Sequence, residues 1–75
     1  MRINECIILG FHDNKPLNIG DDITDPFDRT RWGRIVEMEY TVTLGYGSVL
    51  LVVMSMSDNG NTKTLTFHNP TIITH

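Results

Sequence analysis

What this chain has little of bounds it first. Cys6 is the one cysteine in 75 residues, so no disulfide framework can staple the domain, and a lone thiol reads as a small buried hydrophobe in a reducing compartment. Histidine is sparse. His12, His68 and His75 stand far apart, none at a metal-ligand spacing to another or to Cys6, and each reads as a surface or capping residue. Long apolar runs are absent. The longest, "VLLVVM" at residues 49–54, falls well short of the roughly 20 residues that cross a bilayer. The opening "MRINECIILG" lacks the apolar core and small-residue cleavage site of a secretory signal. The chain therefore reads as soluble and cytoplasmic, with no membrane partner.

Basic charge is also short. Six Lys and Arg against nine Asp and Glu leave a net charge of −3, not the basic excess of a general nucleic-acid coat and too weak for an acidic mimic of DNA. From Thr41 to the end only Asp58 and Lys63 are charged. Catalytic sets are missing as well. The glycines of "GYGS" lack the spacing and following helix of a phosphate loop, Asp21-Asp22 lacks the EF-hand spacing, and Ser48, Ser55 and Ser57 have no nucleophile-elbow context. The expectation is a non-enzyme with no cofactor and no metal.

Strand signals dominate what is present. "EMEYTVTL" alternates strictly, which assigns Val36, Met38, Tyr40, Val42 and Leu44 to one face and Glu37, Glu39, Thr41 and Thr43 to the other. "SVLLVVMSM" is nearly all apolar and reads as a central strand, covered on both faces or curled into a barrel. Asn59-Gly60 between two strand-like runs predicts a type I′ hairpin. "TKTLTF" alternates again, with Leu65 and Phe67 inward, and Pro70 separates it from a short last strand, "TIITH". "INECIIL" is a first strand. Between it and the second lies a connection too long to be structureless in a compact domain. Its glycines and prolines exclude a long helix, and Phe11, Leu17, Ile19, Ile23 and Phe27 are spaced to fold back over the sheet. A short strand near Leu17–Ile19 or Ile23 fits there.

This order of strand, long loop, three-strand meander and brief last strand resembles the SH3-like small barrels. The resemblance spans the whole chain, 1–75, as one domain, and is architectural. The aromatic pair with which Src-type domains grip proline-rich peptides is not evident, so that activity is not implied. Sm-like barrels share the strand order but usually begin with a helix, and with "MRIN" before the first strand a full N-terminal helix is not expected. The expected fold is all-β, a five-stranded SH3-like antiparallel barrel with a long loop between its first two strands. The alternative is an antiparallel sheet covered by that loop.

One stretch concentrates recognition chemistry. "DPFDRTRWGR", residues 25–34, holds Phe27, Arg29, Arg31, Arg34 and the only Trp, Trp32. Trp and Arg are enriched at binding hot spots; Arg forks onto carboxylate or phosphate, and Trp offers a stacking face. The plainer alternative pairs Asp25 and Asp28 with the arginines and uses Trp32 as a plug on a thin core. Tyr46, at the tip of "GYG", is a second contact candidate, because turn tips are seldom core. Met38, Met54 and Met56 read as core filler. Together these features point to a non-enzymatic protein-binding module, an adaptor or small inhibitor that covers a partner protein. The alternatives are a nucleic-acid-binding SH3-like or Sm-like barrel and a self-assembling structural subunit. Homo-oligomerisation would add the buried area that so short a chain lacks.

Overall fold

A computed structural model describes residues 1–24, 30–56 and 60–74. Among them seven strands and one short helical turn are formed: β1 (Glu5–Ile8), the turn His12–Asn14, β2 (Leu17–Asn18), β3 (Asp22–Thr24), β4 (Arg31–Thr43), β5 (Gly47–Ser55), β6 (Thr62–His68) and β7 (Ile72–Thr74). The chain is all-β. Its strands form two antiparallel sheets, one ordered β2-β1-β7 and the other β3-β4-β5-β6. The long connection after β1 is therefore not a loop alone. It contributes β2, which pairs Cys6 with Leu17, and β3, which pairs Ile23 with Gly33.

The opening residues lace the two sheets together. The Ile3 N–H donates to the Met38 carbonyl at 3.0 Å, the Tyr40 N–H donates to the Met1 carbonyl at 2.8 Å, and Arg2 bridges Glu39. Arg2 Nε also lies 3.1 Å from Glu37 Oε1. Among the described residues no ladder joins β6 to β7, and the strands are seen as two antiparallel sheets with no closed barrel detected.

The core fills the space between the sheets. It holds Cys6 and Ile8 of β1, Leu17 of β2, Ile23 of β3, Ile35 and Met38 of β4, and Leu50, Val52 and Met54 of β5, with Ile3 beside them. Phe11, Trp32, Tyr40, Leu65, Phe67 and Ile72 pack around it. Leu65 and Phe67 thus point inward, as their alternation predicts, and Met38 and Met54 are core. The central strand is buried on one face only. Leu50, Val52 and Met54 have no exposure, while Leu51 on the other face is 37% exposed.

The strict alternation expected of β4 fails at one residue. Ile35 pairs with Met54 and Glu37 with Val53, which leaves Val36 as an extra residue in a β-bulge. A bulge steps the inward face by one position. Ile35 is consequently fully buried and Val36 is 47% exposed, the reverse of the assignment from period two. The hairpin between β5 and β6 also differs from the expected one. Ser55 pairs with Thr62 and the Met56 N–H donates to the Asn61 carbonyl at 2.9 Å. A two-residue turn centred on Asn59-Gly60 would instead pair Asp58 with Asn61, so the connection is longer than the motif suggests. Gly60 does take a positive φ of 71°; Asn59 lies outside the described residues.

Cys6 is buried with no exposure and its Sγ lies 3.9 Å from Met38 Sδ. Burial, and then the negative charge of Glu5, push its thiol above the ordinary value of 9.0. Below that pH the thiol is protonated in both folded and unfolded chains and stability is unaffected. Above it the unfolded chain sheds the proton while the folded chain keeps it, so stability falls as pH rises. Urea unfolding of the parent and of Cys6→Ala should diverge in slope only above pH 9.0, the parent losing stability faster. Parallel pH profiles would contradict the assignment.

Candidate functional site

β4 and β5 form a long twisted ribbon, and the two aromatic candidates sit at its opposite ends. At the first end, Asp22 pairs with Arg34, Ile23 with Gly33 and Thr24 with Arg31, so Trp32 is an extra residue opposite β3. This irregularity re-aims its ring. Trp32 is half-buried, packs against the core, and carries Lys63 Nζ 5.0 Å above the ring, a cation–π distance. Gly33 lets the two strands approach closely here, since a Cβ at that position would lie 2.9 Å from the Ser55 carbonyl oxygen. Arg34 is exposed, with its Nε 3.5 Å from Asp22 Oδ1. An acid of the long connection thus does pair with an arginine of this stretch, through Asp22. Phe27, Arg29, Asp25 and Asp28 lie outside the described residues, and Arg31 is described through its backbone only.

At the other end the ribbon projects beyond the core. Val42 is 67% exposed, Leu44 97% and Tyr46 88%. The strand alternation that buries Met38 continues outward past the last core residue, so Val42 has nothing to pack on. No charged residue occurs between Glu39 and Asp58. The tip is built firmly all the same. The Tyr46 N–H donates to the Thr43 carbonyl at 3.0 Å, and Gly45 and Gly47 have φ of +83° and +93°. Asn69, itself at φ 50°, clamps the base. Its Oδ1 accepts the Ser48 N–H at 2.9 Å and its own N–H donates to the Ser48 carbonyl at 2.7 Å. Tyr46 is therefore not part of one patch with Trp32 and Arg34.

A cleft of about 250 Å³ opens where the helical turn after β1 meets the β2–β3 connection. His12 and Lys15 line it from the first segment, Asp21 and Asp22 from the second, with Leu17 and Ile23 between them. The turn is left-handed. His12, Asp13 and Asn14 have φ of 50°, 57° and 61°, a conformation that costs side-chain-bearing residues about 1 kcal/mol or more each. It is held by the Gly10 N–H donating to Asn14 Oδ1 at 2.7 Å and by the Phe11 ring, which meets His12 and Phe67 edge-on at 4.3 and 5.1 Å. His12 is thus not a plain surface histidine: its Nε2 is shielded from water and has no hydrogen-bond partner among the described residues. The β2–β3 turn is fixed by Asp21, whose Oδ2 accepts the Asn18 N–H at 2.9 Å. The sequence signal for this site was the run of His, Asp and Asn, the residue types that best tolerate positive φ after glycine, one residue beyond Gly10.

Among the described residues no group of three His, Cys, Asp or Glu side chains could hold a metal ion, and no helix is long and apolar enough to cross a membrane. Compared with known protein families, curated proteins and solved structures, the chain has no significant match.

Proposed function

We propose that this chain is a non-enzymatic protein-binding module, an adaptor or small inhibitor that covers a surface of a partner, built on a partly open SH3-like barrel. Support for the barrel comes from the first three residues, which join the two sheets through Met38 and Tyr40. The observation that carries the binding reading is the uncharged tip of the β4–β5 ribbon, where Val42, Leu44 and Tyr46 stand in water. Each Å² of apolar surface removed from water there is worth about 25 cal/mol, and a narrow convex tip without charge suits an apolar pocket on a protein. A phosphate backbone has little to hold at this end. At the other end Arg34 is already paired with Asp22, which supports a secondary, rim-like role for it.

The test combines Leu44→Ser and Tyr46→Ser in one double variant. Both side chains are exposed, so the melting temperature should stay within a few degrees of the parent. Affinity-tagged parent should retain a partner that, once identified and purified, binds the double variant at least tenfold more weakly, while Arg34→Ala changes mainly the on-rate and salt dependence. Equal affinity of the double variant would overturn the tip as the binding surface. Binding of a labelled single strand or duplex that weakens steeply with salt would overturn the protein-binding reading in favour of nucleic acid.

A further inference from the structure

We propose that β6 is a dimerisation edge: it pairs antiparallel with β6 of a second copy of this chain about a twofold axis at Leu65, joining the two four-stranded sheets into one. The proposal is independent of the reading of the tip. Among the described residues the sheets end in β2, β7, β3 and β6. Three of these are too short to guide another strand, with two residues in β2 and three each in β3 and β7. β6 has seven and follows β5 without a register shift from Thr62 to His68. A long regular edge is a template for further pairing, and proteins blunt one with proline, a bulge or charge. β6 has no proline and no bulge. Lys63, its one Lys, Arg, Asp or Glu, is turned back with its Nζ over the Trp32 ring.

The bonding pattern identifies the groups that face outward. The Met56 N–H donates to the Asn61 carbonyl at one end of the β5–β6 ladder, and the Asn69 N–H donates to the Ser48 carbonyl at the other. Bonded pairs alternate along an antiparallel ladder. Lys63, Leu65 and Phe67 therefore turn their backbone N–H and C=O toward β5, and Thr62, Thr64, Thr66 and His68 turn theirs away. Among the described residues no strand pairs with that outer row. The side chains agree with this. Leu65 and Phe67 pack against the core yet stay only half-buried, since no strand lies beyond them.

A second copy supplies the complement from the same seven residues. Full overlap sets Thr64 opposite Thr66 of the second copy, Thr62 opposite His68, and Leu65 opposite its own equivalent on the axis. Each bonded pair is then drawn from the outward row of both copies. Threonine pairs are favourable across strands, Lys63 meets Phe67 rather than a like charge, and Leu65 gains apolar cover. The outer row holds threonines and no carboxylate, lysine or arginine, so it has nothing to select a charged peptide. An identical patch on both partners closes at a dimer and adds the buried area that so short a chain lacks.

The test is sedimentation velocity of the full chain over a range of concentrations. The parent should sediment as a dimer that dissociates on dilution. Thr64→Lys with Thr66→Lys sets lysine opposite lysine across the axis, and Thr64→Glu with Thr66→Glu does the same with acids. Both positions are exposed, so each double variant should melt within a few degrees of the parent at a dilution where the parent is monomeric. Each alone should dimerise about tenfold more weakly or worse. An equimolar mixture of the two should recover the dimer, because acid then faces base. A parent that stays monomeric up to about 1 mM, or that grows beyond a dimer, overturns the proposal. Folded variants that dimerise as tightly as the parent overturn it too, because the contact then lies elsewhere. A mixture that stays monomeric rules out the full-overlap antiparallel pairing. The double variant of the tip should dimerise as the parent does, and loss of its dimer would move the contact from β6 to the tip. A monomeric parent leaves partner binding by the tip untouched.

Discussion

Gly47→Ala should be among the most damaging single changes in this protein. The residue holds φ +93°, and a Cβ built on it would overlap the side-chain amide of Asn69. Alanine at a positive φ costs about 1 kcal/mol, and pushing Asn69 aside breaks its bond to the Ser48 N–H, worth about another 1 kcal/mol. Steric rearrangement adds to both. A loss of roughly 2–3 kcal/mol should lower the melting midpoint by roughly 10–20 °C in a domain of this length. The two residues are coupled, so Gly47→Ala combined with Asn69→Ala should cost less than the sum of the single changes. A thermal melt of the four proteins decides the matter: additive losses would show that the clamp at the base of the tip is not as described.

The second large effect is expected from Leu50→Ala. Leu50 lies on the central strand, fully buried between the sheets, opposite Tyr40 on one side and Phe67 on the other. Truncating a buried leucine costs about 2–5 kcal/mol, through lost transfer energy and the cavity left behind. A domain this small has only a few kcal/mol to lose, so Leu50→Ala should be largely unfolded at 37 °C by circular dichroism. Leu51→Ala, one residue away on the opposite face, should cost far less, because Leu51 is 37% exposed. Comparable losses at the two positions would refute the facing of β5.

These residues also show how much was legible beforehand. Alternation located β4 and β6 and the inward turn of Leu65 and Phe67, because a half-buried sheet imprints a period of two on the side chains it covers, and an almost unbroken apolar run located β5. The same rule failed at Val36. A bulge is a backbone event that no residue type announces, and one extra residue exchanges Ile35 for Val36 in the core. β2 and β3 were foreshadowed by Leu17 and Ile23, yet two or three residues carry too little pattern to fix a pairing. Barrel closure depends on how strands distant in sequence meet, and local periodicity holds no record of that.

The candidate site was half legible. Trp32 and Tyr46 were identified as the informative aromatics, and the plug and the contact readings of Trp32 turn out to be compatible, since its ring is packed on the core and only half-buried. That Trp32 and Tyr46 belong to opposite ends of one ribbon follows from a strand of 13 residues, which starts well before the alternation becomes visible. The cleft at His12 was missed because its parts are neither near in sequence nor of one chemical kind, and histidine alone carries many meanings.

The pairing of Cys6 with Thr74 sets an order of events for folding. The β4-β5-β6 meander is made of neighbours in the chain, so its loops close cheaply and early. The pairing of β1 with β7 needs nearly the whole chain to close a single loop, which is slow compared with local pairing. A meander that formed first would hold Leu50, Val52 and Met54 uncovered until β1 and β7 arrived. During that interval the protein is at its most vulnerable to association with other unfinished chains, and the step that ends the interval is the meeting of its first strand with its last.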